Sequence, residues 1–298
     1  MPDLSVIVLS YNTKKLTLNT LTKLYKSLKS SNINSEIVIV DNGSVDNSIE
    51  MLNRFKDARS YENIVIKTIF NKKNMGYPKG NNQGIEISSG RNILFYNSDV
   101  IVENINWKDL IHFFDNSHEV GALTVKVLLT NNKIDPASHR GFPTVWNSFC
   151  YFSKLERVFG KIPGFNRLFG GYHMTYKSLN KIHEIDSPSG AFYLTRKKIL
   201  DIVDGFDDKT FFLYGEDLDL SFRIKELGFK VLYYPKYSVL HLKSVSGLKK
   251  KDARIKNKTK DYFYDAMKSF YKKHYQSKYP KFISKIVYFF IDLKRRTS

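Results

Sequence analysis

Cysteine is almost absent. Cys150 is the only one among 298 residues, so no disulfide framework can brace the fold, which fits a reducing, cytoplasmic compartment. No stretch approaches the roughly 18 uninterrupted apolar residues of a membrane-spanning helix. The opening MPDLSVIVLSYN lacks a basic n-region, a long apolar h-region and a small-residue cleavage site, so no signal peptide is expected. Acids are scarce too, 29 Asp and Glu against 48 Lys and Arg, for a net charge of +19. Residues 249–298 hold 16 Lys/Arg and 4 Asp/Glu, a net +12, which leaves +7 for the first 248 residues. A bias of this kind suits an anionic partner such as lipid head groups, nucleic acid or a phosphorylated substrate, and equally a plain lysine-rich surface. No internal repeat is present.

What the chain does have is alternation. A hydrophobic share of 42% is enough for one large core, or for a core and a smaller lobe. Residues 4–10, LSVIVLS, form a short apolar run suited to a strand buried on both faces. Leu16, Leu21, Leu24, Tyr25 and Leu28 then recur at helical spacing over residues 14–30. The same rhythm predicts strands ending at Val40, near 63–70, over 93–96 and near 120–128, with helices near 45–55, 79–88 and 107–116. Strands alternating with helices imply a parallel sheet covered on both sides. Residues 131–186, with Pro136, Pro143, Pro163 and scattered aromatics, are less regular and are expected to form a lobe lining a substrate site. Regular structure resumes with a strand and helix in SGAFYLTRKKILDIVDGF and a helix beginning at GEDLDLSF. Strands KVLYYP and SVLHL and two helices, over 255–276 and in PKFISKIVYFFIDLKRR, complete the chain.

Ligands of open parallel sheets bind beyond the C-terminal ends of the strands. Three polar clusters fall at such ends: Ser10-Tyr11-Asn12, Asp41-Asn42-Gly43-Ser44 and Asn97-Ser98-Asp99. One alone is an ordinary turn; together they outline a cleft. Asp41 closes a run of four aliphatics, where a carboxylate needs a partner or ligand, and it could accept from a nucleobase imide. Its rival role, capping the helix of residues 45–55, is better filled by Ser44 or Asp46. Asp99 follows a buried strand that stops on three small polar residues, and its oxygens suit a hard divalent ion. The loop NKKNMGYPKGNNQG, with Gly76 and Lys79 ahead of a helix, could set backbone donors and a cation near a diphosphate. Glu216-Asp217 opens a helix after an aromatic-rich loop. Asp217 is either that helix's cap or a general base, while Asp219 is expected to be structural and Arg223 to pair with one of the acids. His241 ends the strand SVLHL, at the same sheet edge as Asp99, as a structural histidine or a second metal ligand.

In this order, the segments SVIVLSYN, EIVIVDNGSVDNS, NMGYPKGNNQGI, ILFYNSDVIV, SGAFYLTRKKILDIVDGFDDKTFFLYGEDLDLSFRIKELGFKVLYYP and HLKSVSG resemble the family 2 glycosyltransferases, and more narrowly their rhamnosyltransferase-like branch. The resemblance implies a GT-A, nucleotide-diphospho-sugar transferase fold: α/β, with a mostly parallel central sheet flanked by helices and followed by C-terminal helices. It divides the chain into a GT-A domain over 1–248, with a nucleotide-sugar half over 1–128 and an acceptor half over 129–248, and a basic helical extension over 249–298. The activity implied is inverting, metal-dependent transfer of one sugar to a hydroxyl of a glycan or lipid-linked acceptor in cell-surface polysaccharide synthesis.

Residue by residue, Asp41 resembles the base-recognising acid and Asp99 the last position of an Asp-x-Asp motif holding Mg²⁺ or Mn²⁺. Glu216 and Asp217 resemble the catalytic pair. Ser10, Tyr11, Asn12, Asn42, Gly76, Lys79, Asn97 and Ser98 fall in the segments expected to bind the nucleotide sugar, dTDP- or UDP-linked. The first acid of the metal motif is replaced by Asn97, which makes help from His241 or from the diphosphate itself more necessary. The Gln-x-x-Arg-Trp signature of processive synthases is absent, favouring one sugar per encounter. FISKIVYFFIDLKRR suits either a helix lying on an anionic membrane or a packed helix closing the domain. The rivals are a nucleic-acid-binding protein, which leaves the acids unexplained, a nucleotidyltransferase, and a catalytically inactive carbohydrate-binding relative.

Overall fold

The computed structural model describes residues 1–59, 61–243 and 253–297. In chain order the elements are β1 (Leu4–Ser10), α1 (Lys14–Ser31), β2 (Ser35–Asp41), α2 (Ser48–Asp57), β3 (Ile64–Phe70), α3 (Tyr77–Ile87), β4 (Asn92–Tyr96), β5 (Val100–Asn104), α4 (Trp107–Asn116) and β6 (Val120–Leu129). Three short helices follow, α5 (Val145–Phe152), α6 (Leu155–Phe159) and α7 (Asn166–Phe169). Then come β7 (His183–Ile185), β8 (Phe192–Arg196), α8 (Lys197–Val203), α9 (Glu216–Glu226), β9 (Lys230–His241), α10 (Ala253–His274) and α11 (Lys281–Thr297). The expected boundary at 248/249 and the end of the HLKSVSG segment lie outside the described residues.

The nine strands among the described residues join one sheet, in the order β3-β2-β1-β4-β8-β6-β9-β5, with β7 pairing β9. β1, β2, β3 and β4 are mutually parallel, and β8 inserts antiparallel between β4 and β6. β6 is parallel to β9, while β5 and β7 run antiparallel to β9. Six strands therefore share one direction and three oppose it, a mostly parallel α/β sheet. Both faces are covered because the aliphatic runs Val6–Leu9 and Ile37–Val40 of the central strands send apolar side chains to either side. Val6, Val8, Ile37 and Ile39 meet Leu24, Leu52 and Trp107 on one face. Ile7, Val38 and Val40 meet Ile85, Leu200 and Leu220 on the other. Each such fully buried aliphatic contributes about 1.5–3 kcal/mol.

Two local departures shape the site. KVLYYP and SVLHL are one strand, β9, rather than two. Its pairing with β6 slips where Val125 faces Tyr234 but Lys126 faces Ser238, so Pro235, Lys236 and Tyr237 bulge out. Proline has no N–H for the ladder, and the bulge absorbs it without ending the strand. The second departure is the break between β4 and β5. The chain leaves β4 after Tyr96 and re-enters the sheet at its far edge, where Val100 stands opposite His241. The buried strand of the sequence stops at Asn97-Ser98-Asp99 because the chain is changing neighbours there. That exchange delivers Asp99 to His241.

The C-terminal helices are tied to the sheet through α9. Asp219 is fully buried and binds Arg223 (2.8 Å), Lys273 (2.7 Å) and His274 (2.8 Å), which pins α10 against α9. Phe222, Phe270, Tyr271 and Tyr275 pack around this knot, and Tyr271 Oη lies 2.9 Å from Ser284 Oγ of α11.

Candidate active site

The C-terminal ends of β1, β4 and β9 open into a cleft of about 1060 Å³, closed on its other sides by α5, the start of α9 and the α10–α11 hairpin. Of the residues expected to act, Tyr11, Asn42, Gly76, Asn97, Ser98, Asp99, Glu216, Asp217 and His241 line it. Ser10, Asn12, Asp41 and Lys79 do not.

Ser10, Asn12 and Lys79 have other local partners, and Asp41 is buried one residue before the cleft-lining Asn42. Ser10 Oγ is buried against Thr17 Oγ1 at 3.0 Å. Asn12 stitches the β1 end to the β2 end: its N–H donates to Ser44 Oγ (2.8 Å), and its Oδ1 accepts from the Val45 N–H (2.8 Å). Lys79, expected beside a diphosphate, instead pairs with Asp208 at 3.2 Å. Asp41 is fully buried; its Oδ1 accepts the Ser44 N–H (2.8 Å), while its Oδ2 has no hydrogen-bond partner among the described residues. Such an orphaned acceptor is costly unless a ligand satisfies it. Asp46 accepts N–H bonds from Ser48 (3.2 Å) and Lys14 (2.9 Å), so it braces two helix starts, whereas Ser44 is occupied by Asn12.

Asn42 organises the loop before α3. Its Nδ2 donates to Asn74 Oδ1 and Gly76 O, each at 3.0 Å, and its Oδ1 accepts from Met75 N (3.0 Å) and Asn71 Nδ2 (3.2 Å). Gly76 adopts φ +89°, and a Cβ there would come within 2.7 Å of Phe212 O, so only glycine lets the two loops touch. Pro78 then enters α3 in its first turn, where its missing N–H costs nothing.

At the far sheet edge, His241 lies between two carboxylates. Its Nε2 is 3.2 Å from Asp99 Oδ1, and its Nδ1 is 2.8 Å from Asp135 Oδ2. Burial alone would lower the imidazole pKa, but hydrogen bonds and charge from Asp135 and Asp99 outweigh it and raise the pKa to about 9. Burial likewise opposes the charge on Asp135, yet His241 and Lys243 (2.7 Å) hold its pKa down at about 2. Asp99 Oδ1 and His241 Nε2 are spaced as two neighbouring ligands of one divalent ion would be. A buried carboxylate on the other ring nitrogen is the usual support for a ligating histidine. Oxygen and imidazole donors of this kind fit Mn²⁺ or Mg²⁺ once Nε2 gives up its proton. Among the described residues no group of three His, Cys, Asp or Glu could enclose an ion alone. Asn97 is already committed, because its Oδ1 accepts the Tyr77 hydroxyl at 3.1 Å.

Across the cleft, Gly215 at φ +79° takes the N-cap position of α9, so Asp217 is not the cap. Three acids in the first turn suit the positive end of the helix. Asp217 Oδ2 pairs with Arg140 at 2.6 Å, and its Oδ1 accepts the Leu218 N–H at 2.8 Å. Glu216 is buried, its Oε2 lacks a partner among the described residues, and burial followed by the Asp217 charge pushes its pKa up to about 8. The two neighbouring acids therefore sit in opposed environments, the arrangement that separates acid and base roles. Arg223 pairs with Asp219, and Asp219 is structural, as its spacing suggested.

Sequence reasoning missed Asp135, Arg140 and Tyr77. Asp135 and Arg140 come from the irregular 131–186 segment, where no periodicity points at a site. The one local signal was Asp135 preceding Pro136, which opens a short 3₁₀ turn.

The model of the family described as Glycosyltransferase like family 2 matches residues 2–263. The O-antigen biosynthesis protein RfbC of Myxococcus xanthus is 24% identical over 212 residues, covering 71% of this chain but only 15% of that protein. Among solved structures, a mannosyltransferase from Pyrobaculum calidifontis, in complex with GDP-Man and Mn²⁺, matches with a TM-score of 0.57 at 14% identity, covering 91% of this chain and 64% of that one. GalNAc-T7 with UDP, GalNAc and Mn²⁺ matches with a TM-score of 0.60 at 14% identity, covering 99% and 55%. At such identities the structural likeness speaks for the shared GT-A fold. With the family model spanning nearly its whole length, the chain belongs to the glycosyltransferase family 2.

Proposed function

We propose that this protein transfers one sugar, with inversion, from a nucleoside-diphosphate sugar to a hydroxyl of a glycan or lipid-linked acceptor in cell-surface polysaccharide synthesis. One observation carries the reading: a single cleft sets the ion-paired Asp217 opposite the Asp99–His241 pair. The orphaned Asp41 Oδ2 supports recognition of a base through its imide N–H, as uracil and thymine offer. Together with the rhamnosyltransferase-like motifs, this favours a UDP- or dTDP-sugar, dTDP-rhamnose first. The nucleotides and Mn²⁺ bound by the two solved relatives, and the O-antigen role of the Myxococcus protein, support the same class of reaction.

In this mechanism the loop organised by Asn42 and Gly76 holds the donor at the strand ends. Asp99 and His241 would hold a divalent cation. When bound, it neutralises charge on the donor's diphosphate. Asp217, oriented by Arg140 and the Leu218 N–H, takes the acceptor hydroxyl proton as that oxygen bonds to the anomeric carbon. The carbon–oxygen bond to the diphosphate breaks on the opposite face, which inverts the centre. Buried Glu216, neutral at physiological pH, keeps a second negative charge away from the departing diphosphate. General-base assistance contributes about 10²–10⁴-fold. Asp217→Asn is therefore expected to retain donor binding, read by calorimetry, while transfer drops by about that factor. A variant that still transferred sugar at the parent rate would remove Asp217 from its role.

A further inference from the structure

Helix α11 presents an apolar face that the fold does not cover. At about 100° per residue, Phe282, Ile286, Phe289, Phe290 and Leu293 fall within an arc of roughly 100°. These five side chains are 44–63% exposed, while Ile291 on the opposite side is buried. The short helices α5 to α7 leave a second apolar set uncovered: Trp146, Phe149, Phe165 and Leu168 are 44–53% exposed. The two sets flank one opening. Phe149 and Phe290 both line the catalytic cleft, and Val145 and Val287 join the same buried cluster beneath it.

Basic residues frame both sets. Around the lobe, Lys154, Arg157, Lys161 and Arg167 are exposed, and the only acid of residues 145–169, Glu156, is buried against His173 at 2.8 Å. Around the helix, Lys281, Lys285 and Arg296 are exposed, while the single acid of α11, Asp292, is taken by Lys268 at 2.5 Å. Aromatic and aliphatic side chains ringed by lysine and arginine match the boundary between anionic head groups and acyl chains. A second copy of the chain would set like charges against one another. Among the described residues no helix is long and apolar enough to cross a membrane, so an attachment here lies on the surface.

We propose that α11 and the α5–α7 lobe form one docking surface for an anionic phospholipid bilayer, with the mouth of the catalytic cleft between them at head-group level. This rests on the transferase reading above and extends it. An acceptor carried on a membrane lipid would reach Asp217 by lateral diffusion, its glycan entering the cleft while its lipid stays in the bilayer.

The test uses the full chain and vesicles of equal parts phosphatidylglycerol and phosphatidylcholine, with pure phosphatidylcholine as the control. Binding is expected only to the mixed vesicles, weakening as salt rises. The pair Phe282→Ser with Phe289→Ser, and separately Phe165→Ser with Leu168→Ser, are each expected to lower partitioning by at least about tenfold. Trp146 supplies an internal probe, because the other tryptophan, Trp107, is fully buried. Brominated lipid is expected to quench Trp146 emission. Failure of the parent protein to bind mixed vesicles would overturn the proposal. So would binding that spares Trp146 and ignores the lobe substitutions, which would leave α11 acting alone, or self-association of the parent chain through these side chains in place of vesicle binding. Donor-induced thermal stabilisation, measured on the same samples, keeps the outcomes apart. If it persists without vesicle binding, only the docking surface is refuted; if it is absent while vesicles bind, the transferase reading is.

Discussion

Glu216→Gln isolates the unusual acid at the start of α9. Burial and the neighbouring Asp217 raise the Glu216 pKa to about 8, against a value of 4.5 for an ordinary glutamate. Between those two values the folded protein holds a proton that the unfolded chain has released. Stability must then fall as pH rises, by up to roughly 1.4 kcal/mol per pH unit from this group. Glutamine copies the neutral acid and does not titrate. Its amide has its own cost in a pocket where Oε2 has no partner, about 1 kcal/mol. The variant is thus expected to be near or slightly below the parent at pH 5 and to overtake it by about 1–3 kcal/mol near pH 8. Urea unfolding of both proteins at the two pH values measures this directly. At neutral pH the variant is also expected to keep transfer within about tenfold of the parent, since Asp217 remains. A stability difference that does not change with pH, or that moves against the variant as pH rises, would refute the neutral Glu216.

Two other substitutions probe the support of the site. Asp135→Asn removes the carboxylate behind His241 and is expected to weaken Mn²⁺ binding by about 10–100-fold with Asp99 and His241 intact, as titration calorimetry would read. Unchanged metal affinity would separate Asp135 from the metal site. Gly76→Ala introduces a Cβ 2.7 Å from Phe212 O at a positive φ. It is expected to lower the melting temperature and weaken donor binding together, because the loop held by Asn42 must shift. A variant with both properties unchanged would show that the two loops can part freely.

Much of the sheet could be read from local pattern. β1 and β2 carry unbroken aliphatic runs, and α1 and α4 carry clear helical stripes, so the bounds expected for them fell within a residue or two. The placing of the polar strand ends followed from the parallel half of the sheet. What pattern could not reveal was long-range pairing. The meeting of Asp99 and His241 depends on β5 crossing to the outer edge beside β9, and period-two alternation says nothing of which strand a neighbour will be. Lys79 was expected at a diphosphate because it precedes a helix in a glycine-containing loop. Its partner Asp208 lies in a distant loop that only the fold brings close. Arg140 and Asp135 were invisible for a related reason. They sit in irregular chain, held by Asp217 and His241, and neither charge belongs to any local motif. The acid at Glu216 was noticed, but its separation from Asp217 in character depends on Arg140, which pairs with Asp217 and leaves Glu216 Oε2 without a partner among the described residues.

This cleft is expected to bind a nucleoside-diphosphate sugar beside a divalent ion held at Asp99 and His241. The most direct test is thermal stabilisation by UDP, dTDP, GDP and CDP, each with and without Mn²⁺ or Mg²⁺, since a ligand of the native state raises the melting temperature by mass action. The account predicts a shift with UDP or dTDP that requires the metal and disappears in Asp99→Ala. No shift with any nucleotide, or an equal shift without metal, would contradict it.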